Sequence, residues 1–282
     1  MSRSSLGRSV PLAPLALGLA IVAVVACPAP QSRPLEGEAG EAVRTALRSG
    51  DRGFDHSTWN VLLAAATVEG LSDYAVFGAR HEDLESYLDQ LAGVDLSRLS
   101  SPHLEALLLN AYNAMTVDSI LAHPDVSSIK EIPGVWDKTK HRLGGFDLTL
   151  DQIEHNLLRP FFKDPRIHFA VNCASLSCAP LPPWAYDGDA LEEQLEERSR
   201  TFLSDPRNVR LEGGELRLSR YLDWYGSDFT ASDWQPRADT LSEFVARYTT
   251  PEIATALQSG TPDIAFLDYD WTLNSATLST PQ

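Results

Sequence analysis

The chain has 282 residues and a formal net charge of −16. An acidic body of this kind excludes nucleic-acid binding through a broad electrostatic surface; it favours solubility and a monomer, and says nothing of fold. The length fits one large domain or two small ones.

The first 26 residues do not read as part of a folded body. They carry Arg3 and Arg8 but no acid, and residues 12–26 are apolar apart from Pro14 and Gly18. A basic start followed by a short greasy run is the pattern of a secretory signal peptide. The run is shorter than the roughly 20 apolar residues that span a membrane. Val24-Val25-Ala26-Cys27 resembles a bacterial lipobox, with valine where leucine is usual. A thiol placed there is the nucleophile that takes a lipid such as palmitate, so Cys27 is the expected lipid attachment. An ordinary cleavage after Ala26 is the alternative. Residues 27–40 then read as the lipidated cysteine and a flexible tether rich in Pro, Gly, Ser and Glu, and residues 41–282 as a single domain. The expected place is a membrane-anchored lipoprotein of a bacterial cell envelope.

Along the body, residues 39–49, 58–67 and 82–92 have short helical patterns. A longer helix is predicted over 102–122: Ser101 can cap it, Pro102 suits its first turn, and Leu104, Leu107, Leu108, Ala111 and Met115 follow at helical spacing. Alternation from Thr139 to Leu148 around Gly144-Gly145 predicts a hairpin. Thr149 and Gln152 form a capping-box pattern that opens a helix through Leu158, with Pro160 as its stop. Arg166 to Cys173 alternates as a strand, with Ile167, Phe169, Val171 and Cys173 on one face. An acidic helix at 189–203, a hairpin at 209–218 around Gly213-Gly214, a helix at 240–248 and a strand near 264–270 complete the series. Short strands interleaved with helices predict α+β, a single domain of helices packed on short, mostly antiparallel strands.

Five groups of residues carry a resemblance. They are Asn110-Ala-Tyr112-Asn113; Ile153-Glu154-His155 with Leu158-Arg159; the run from Asp164 through His168, Asn172 and Cys173 to Cys178; Trp224-Tyr225 with Asp228-Phe229; and Tyr269-Asp270-Trp271 with Asn274. In this order they are similar to the domain of unknown function 547 family, over about 101–229 with a tail near 269–274. The family usually places proline directly after the second cysteine; here Ala179 intervenes. The resemblance implies a fold and no settled reaction.

The candidate chemistry centres on Cys173 and Cys178. They read as a disulfide bond closing a tight loop, as a thiol nucleophile with a nearby imidazole, or as two buried free thiols; the disulfide ranks first. On a strand, His168 and Cys173 would stand roughly 16 Å apart on opposite faces, leaving His155 or His141 as the base for Cys173. Asn110 and Asn113 share a helix face; they orient a substrate or imidazole, or they satisfy buried loop backbone. Glu154 and Arg159 read as part of a structural ion-pair network. Glu154-His155 lacks the HExxH zinc pattern, and no metal or cofactor is read from the sequence. The catalytic candidates are therefore Cys173, Cys178, His155, His168, Asn110 and Asn113, expected as one polar cluster. Tyr221, Trp224, Tyr225 and Phe229 line a peptide or glycan groove, or pack. Two function classes stand: an envelope lipoprotein binding a peptide, glycan or protein partner, and a thiol-dependent amide hydrolase or acyl transferase loosely like papain or transglutaminase folds.

Overall fold

The structure, a computed structural model, describes residues 32–260 and 262–277. The expected signal peptide and Cys27 lie outside the described residues. Five helices build the first half: α1 (Gly37–Ser49), α2 (Ser57–Ala66), α3 (Tyr74–Ala79), α4 (His81–Gly93) and α5 (Ser101–Leu121). A two-residue-stranded hairpin, β1 (Thr67–Val68) with β2 (Leu71–Ser72), joins α2 to α3. Every residue of α5 from Leu104 to Val117 is buried. A helix apolar on nearly all sides belongs at the centre of a domain, and α3, α4 and α1 pack around it. Ser100 rather than Ser101 precedes its first turn, and its hydroxyl is taken by the ring of His103.

The predicted hairpin is present as β3 (His141–Leu143) and β4 (Phe146–Leu148), paired antiparallel across Gly144 and Gly145, whose φ values are +58° and +84°. The capping box also forms: the Thr149 backbone N–H donates to Oε1 of Gln152 at 3.0 Å, and the Gln152 N–H donates to Oγ1 of Thr149 at 3.1 Å.

The helix it opens does not stop at Pro160. It is π-wound over Gln152–Leu158 and runs on through α6 (Arg159–Phe162), ending at Lys163 in the left-handed region, φ 53°. A proline mid-helix removes one donor and frees the carbonyls behind it. Those of His155 and Asn156 are taken instead by the backbone N–H groups of Arg33 at 3.2 Å and Leu35 at 2.9 Å. This shortens the expected tether. Residues 32–36 dock on the proline-freed turn, α1 begins at Gly37, and Ala39 and Gly40 are buried.

Beyond the cysteines come α7 (Leu191–Leu203), the hairpin β5 (Val209–Glu212) and β6 (Glu215–Leu218), then α8 (Tyr221–Trp224), α9 (Gly226–Thr230), α10 (Leu241–Tyr248) and α11 (Pro251–Ser259). Strand β7 (Ile264–Phe266) adds parallel to β6, with Leu216 opposite Ile264. The other strand pairs are antiparallel, and the fold is α+β. No helix among the described residues is long and apolar enough to cross a membrane.

The expected strand at Arg166–Cys173 is absent. Pro165–Phe169 is a 3₁₀ turn, capped by the Asp164 carboxylate on the Arg166 N–H at 2.8 Å. The Asp-Pro pair is a helix-start signal, and it wins over the alternation that followed. The alternation has another origin. Ile167, Ala170, Val171 and Ala174 face one core, built on α1–α5, while Phe169, Cys178 and Ala179 face a second, built on Phe202, Leu218, Phe229 and Phe244. The segment is a seam between two cores and is buried on both sides.

Candidate active site

Two polar groups line this seam. The first rises from the π-wound turn, a geometry that favours functional positions because it re-aims side chains. Arg159 forms a two-pronged pair with Asp228 of α9: Nε to Oδ2 at 2.7 Å and Nη2 to Oδ1 at 3.0 Å, with the side chains 4% and 7% exposed. His168 donates from Nε2 to the same Oδ2 at 2.9 Å, and its Nδ1 has no hydrogen-bond partner among the described residues. Tyr225 stacks on the His168 ring at 4.0 Å. Burial pushes Asp228 up, but the hydrogen bonds from His168 and Arg159 carry it below the usual carboxylate range. Burial pulls His168 down and outweighs Asp228, so the ring is neutral at pH 7. Nδ1 of His155 accepts from Nη1 of Arg159 at 3.2 Å; burial first, then that guanidinium, takes His155 down to about 4. Burial raises Glu154, against the pull of His168, Arg159 and the Tyr112 hydroxyl. Glu154 and Arg159 thus lie in one ionic network, in which Asp228 hydrogen-bonds the arginine.

The second group is the thiol pair. Both cysteines are free, Cys173 half-buried and Cys178 buried, so the disulfide reading is overturned. The turn is closed by a different bond: the Cys173 N–H donates to Sγ of Cys178 at 2.7 Å, and the Tyr221 hydroxyl donates to the same sulfur at 2.8 Å. Sγ of Cys173 meets the hydroxyls of Tyr269 at 3.2 Å, Ser175 at 3.4 Å and Tyr221 at 3.7 Å. The hydrogen bond from Cys178 works against burial, and with those from Ser175, Tyr269 and Tyr221 it brings Cys173 down to about 7. Burial drives Cys178 the other way. One thiol is thus poised to ionise at neutral pH while its neighbour holds its proton.

The backbone here is strained. Ala174, directly after Cys173, has φ 58°, a conformation that costs a residue with a Cβ about 1 kcal/mol or more. It is held by its N–H to Oδ1 of Asn172 at 2.9 Å and by its carbonyl, which accepts from the Asn274 N–H at 3.2 Å. The C-terminal segment lies along the turn: the Leu176 N–H donates to the Thr272 carbonyl, and the Asp270 N–H to Oγ of Ser177. It also brings Tyr269 and Trp271 beside Trp224, with ring centroids 4.9 Å apart for Trp224–Tyr269 and 4.5 Å for Tyr269–Trp271. These three rings are half-buried, so an aromatic wall borders the sulfur.

Not all the predicted site residues enter this arrangement. Neither His155 nor His141 hydrogen-bonds to a sulfur; His155 belongs to the ionic group, and His141 sits on β3, half-buried, lowered by burial. The strand-based separation of His168 from Cys173 falls with the strand: they are linked through Tyr225, whose ring lies 6.0 Å from Tyr221. Asn113 donates from Nδ2 to the Ala170 carbonyl at 3.0 Å and accepts the Asn172 N–H at 2.8 Å. Asn110 makes the same double bond with Tyr186, at 2.8 and 3.0 Å. Both amides hold loop backbone, and neither bonds to a thiol or an imidazole. Asn110→Ala leaves both backbone groups of Tyr186 unpaired in the core and is expected to cost roughly 2–4 kcal/mol. Urea midpoints of the variant and the parent measure it, and a change under about 0.5 kcal/mol contradicts the role.

Residues 96–203 match the family described as Protein of unknown function, DUF547. Within that range the chain is similar to DUF547. No curated protein and no solved structure matches the chain. The matched range of the DUF547 domain supplies α5, the π-wound turn and both cysteines. Tyr221, Tyr225, Asp228 and Tyr269, which complete the two polar groups, lie beyond it. Sequence reasoning quoted Asp228 and Tyr269 only as motif residues and gave neither a role. Ser175 lies inside the motif run from Asp164 to Cys178 with no role assigned there, though a hydroxyl two positions from a candidate thiol is a usable signal.

Proposed function

We propose that the folded body is a thiol-dependent acyl-transfer enzyme acting on an amide or ester, with Cys173 as nucleophile. The observation that carries this is the convergence of three hydroxyls and a second thiol on a free, half-buried sulfur whose pKa they bring down to about 7. A preformed thiolate needs no adjacent imidazole to be nucleophilic. Its lone pair adds to the acyl carbon, and a C–S bond replaces the C–N or C–O bond. The leaving group takes a proton from water, and a water molecule or an amine then cleaves the thioester and returns the thiolate. Trp224, Tyr269 and Trp271 offer the acyl side an apolar, aromatic face. The body is carried outside the cytoplasm on a lipid at Cys27, a reading that rests on the apolar run and the lipobox-like Val24–Cys27.

The aromatic wall by itself supports a second reading, capture of a peptide or glycan without chemistry. An activated ester separates the two. Incubation with p-nitrophenyl acetate, followed by peptide mass analysis, is expected to place one acetyl group on Cys173. Hydroxylamine should release it, and Cys173→Ala should abolish it. Cys178→Ala should slow acylation at pH 7 without stopping it, because Cys173 loses the neighbour that does most to lower its pKa. Acylation that is absent from the parent, or unchanged in Cys173→Ala, removes the enzyme reading and leaves binding.

A further inference from the structure

A second cluster lies apart from the thiols, where α5 begins and where the loop before α7 passes over it. Nε2 of His103 stands 3.8 Å from Oδ1 of Asp189. The donor atoms of His103, Asp187 and Asp189 all lie within 4.8 Å of one another. The ring of His103 is fixed from behind: its Nδ1 pairs with Oγ of Ser100 at 2.8 Å, the kind of outer contact that sets the tautomer of a metal-binding imidazole. It is also cradled by glycine. A Cβ on Gly188, between the two aspartates, would come within 2.4 Å of the ring, and one on Gly53 within 3.2 Å. Gly188 has no positive φ, so the glycine there serves close approach rather than backbone conformation.

An independent feature points to a ligand at the same place. His56 is 6% exposed. Its Nδ1 pairs with the Tyr87 hydroxyl at 2.7 Å, and its Nε2, on the opposite edge, has no partner among the described residues. With Asp55, Asn60 and Asp187 it lines a cavity of about 280 Å³, so Asp187 belongs both to the cavity rim and to the cluster. A buried ring nitrogen without a partner is costly unless something fills the space beside it.

We propose that His103, Asp187 and Asp189 bind a divalent cation of the zinc type, with an open coordination position towards the cavity that His56 lines. One imidazole and two carboxylates suit zinc, whose ligands bond at about 2.0–2.2 Å and so stand about 3.4 Å apart. The two aspartate side chains are exposed; Oδ1 of Asp187 accepts the Asp189 N–H at 2.9 Å, so the remaining gap is left to rotation of Asp189. The site is independent of Cys173, and its test does not use acyl transfer.

Zinc chloride is titrated into the chelator-treated full chain by calorimetry, with the parent and three variants. The expected result is one saturable site, at least tenfold weaker in Asp189→Asn and in His103→Gln and unchanged in His81→Gln. His81 is the control because it lies near Glu85 and Asp118, at 3.6 and 3.3 Å, and is a surface place where zinc could gather an imidazole and acids. Asp189 is exposed, so its variant folds, and circular dichroism without metal confirms that for all four proteins. No saturable binding to the parent, equal affinity in Asp189→Asn, or loss of binding in His81→Gln overturns the proposal.

Discussion

Asp228→Asn is expected to destabilise the protein by roughly 3–5 kcal/mol, among the largest effects of any single polar substitution in this chain. The aspartate answers two buried donors at once, the Arg159 guanidinium and Nε2 of His168. Asparagine keeps the shape but loses the charge that faces the guanidinium inside a buried seam. The cost comes from a buried charge that has lost its two-pronged partner more than from the pair itself, because bringing both ions out of water offsets much of their attraction. The double variant Arg159→Met/Asp228→Leu should therefore lose less than the sum of the two single variants. Urea unfolding of the four proteins of this cycle measures the difference, and an Asp228→Asn loss under about 1 kcal/mol contradicts it.

Stability is expected to fall steeply as pH drops from about 6.5 to about 4. Burial holds His56 at about 4, and burial with Arg159 holds His155 at about 4, whereas an unfolded histidine titrates near 6.5. Below pH 6.5 the unfolded chain therefore takes up protons that the folded chain refuses. The contribution of each ring is fully present above pH 6.5 and is lost towards pH 4, roughly 3 kcal/mol apiece. His168 and His141 are lowered too and act in the same sense. Glu154 opposes them. Its folded pKa is raised, so the stability it contributes is present at low pH and lost as pH rises through that raised value. Asp228, lowered, holds its contribution until the pH falls below about 3.9. Urea midpoints at pH 7 and pH 4.5 test the sum, and His155→Gln should shrink the difference. Equal midpoints at the two pH values contradict the histidine account.

Local signals carried far along this chain, and they failed where two cores met. The capping box at Thr149 and Gln152, the glycine turn of β3–β4 and the apolar spacing of α5 are written within a few residues of each element, and each forms. The strand predicted at 166–173 does not, because a segment buried on both sides shows a period that comes from facing two cores. Pro160 reads as a stop only until the partner of the freed carbonyls is known. That partner, the backbone of Arg33 and Leu35, lies more than a hundred residues earlier. The two cysteines were visible as a pair, but their state was not. The hydroxyls that decide it come from Tyr221 and Tyr269, 48 and 96 positions after Cys173, and no spacing rule connects them.

The central claim is that Cys173, and not Cys178, is a thiolate at neutral pH in the folded protein. The most direct measurement is the rate of iodoacetamide labelling of the native full chain between pH 5 and 10, with the labelled cysteine mapped by peptide mass. Of the two cysteines of the folded body, the account predicts labelling of Cys173 alone, rising with a midpoint near 7, and Cys178 inert until the chain is unfolded. A midpoint at or above the value of an ordinary thiol, about 8.5, or equal labelling of the two cysteines in the native state, would contradict it.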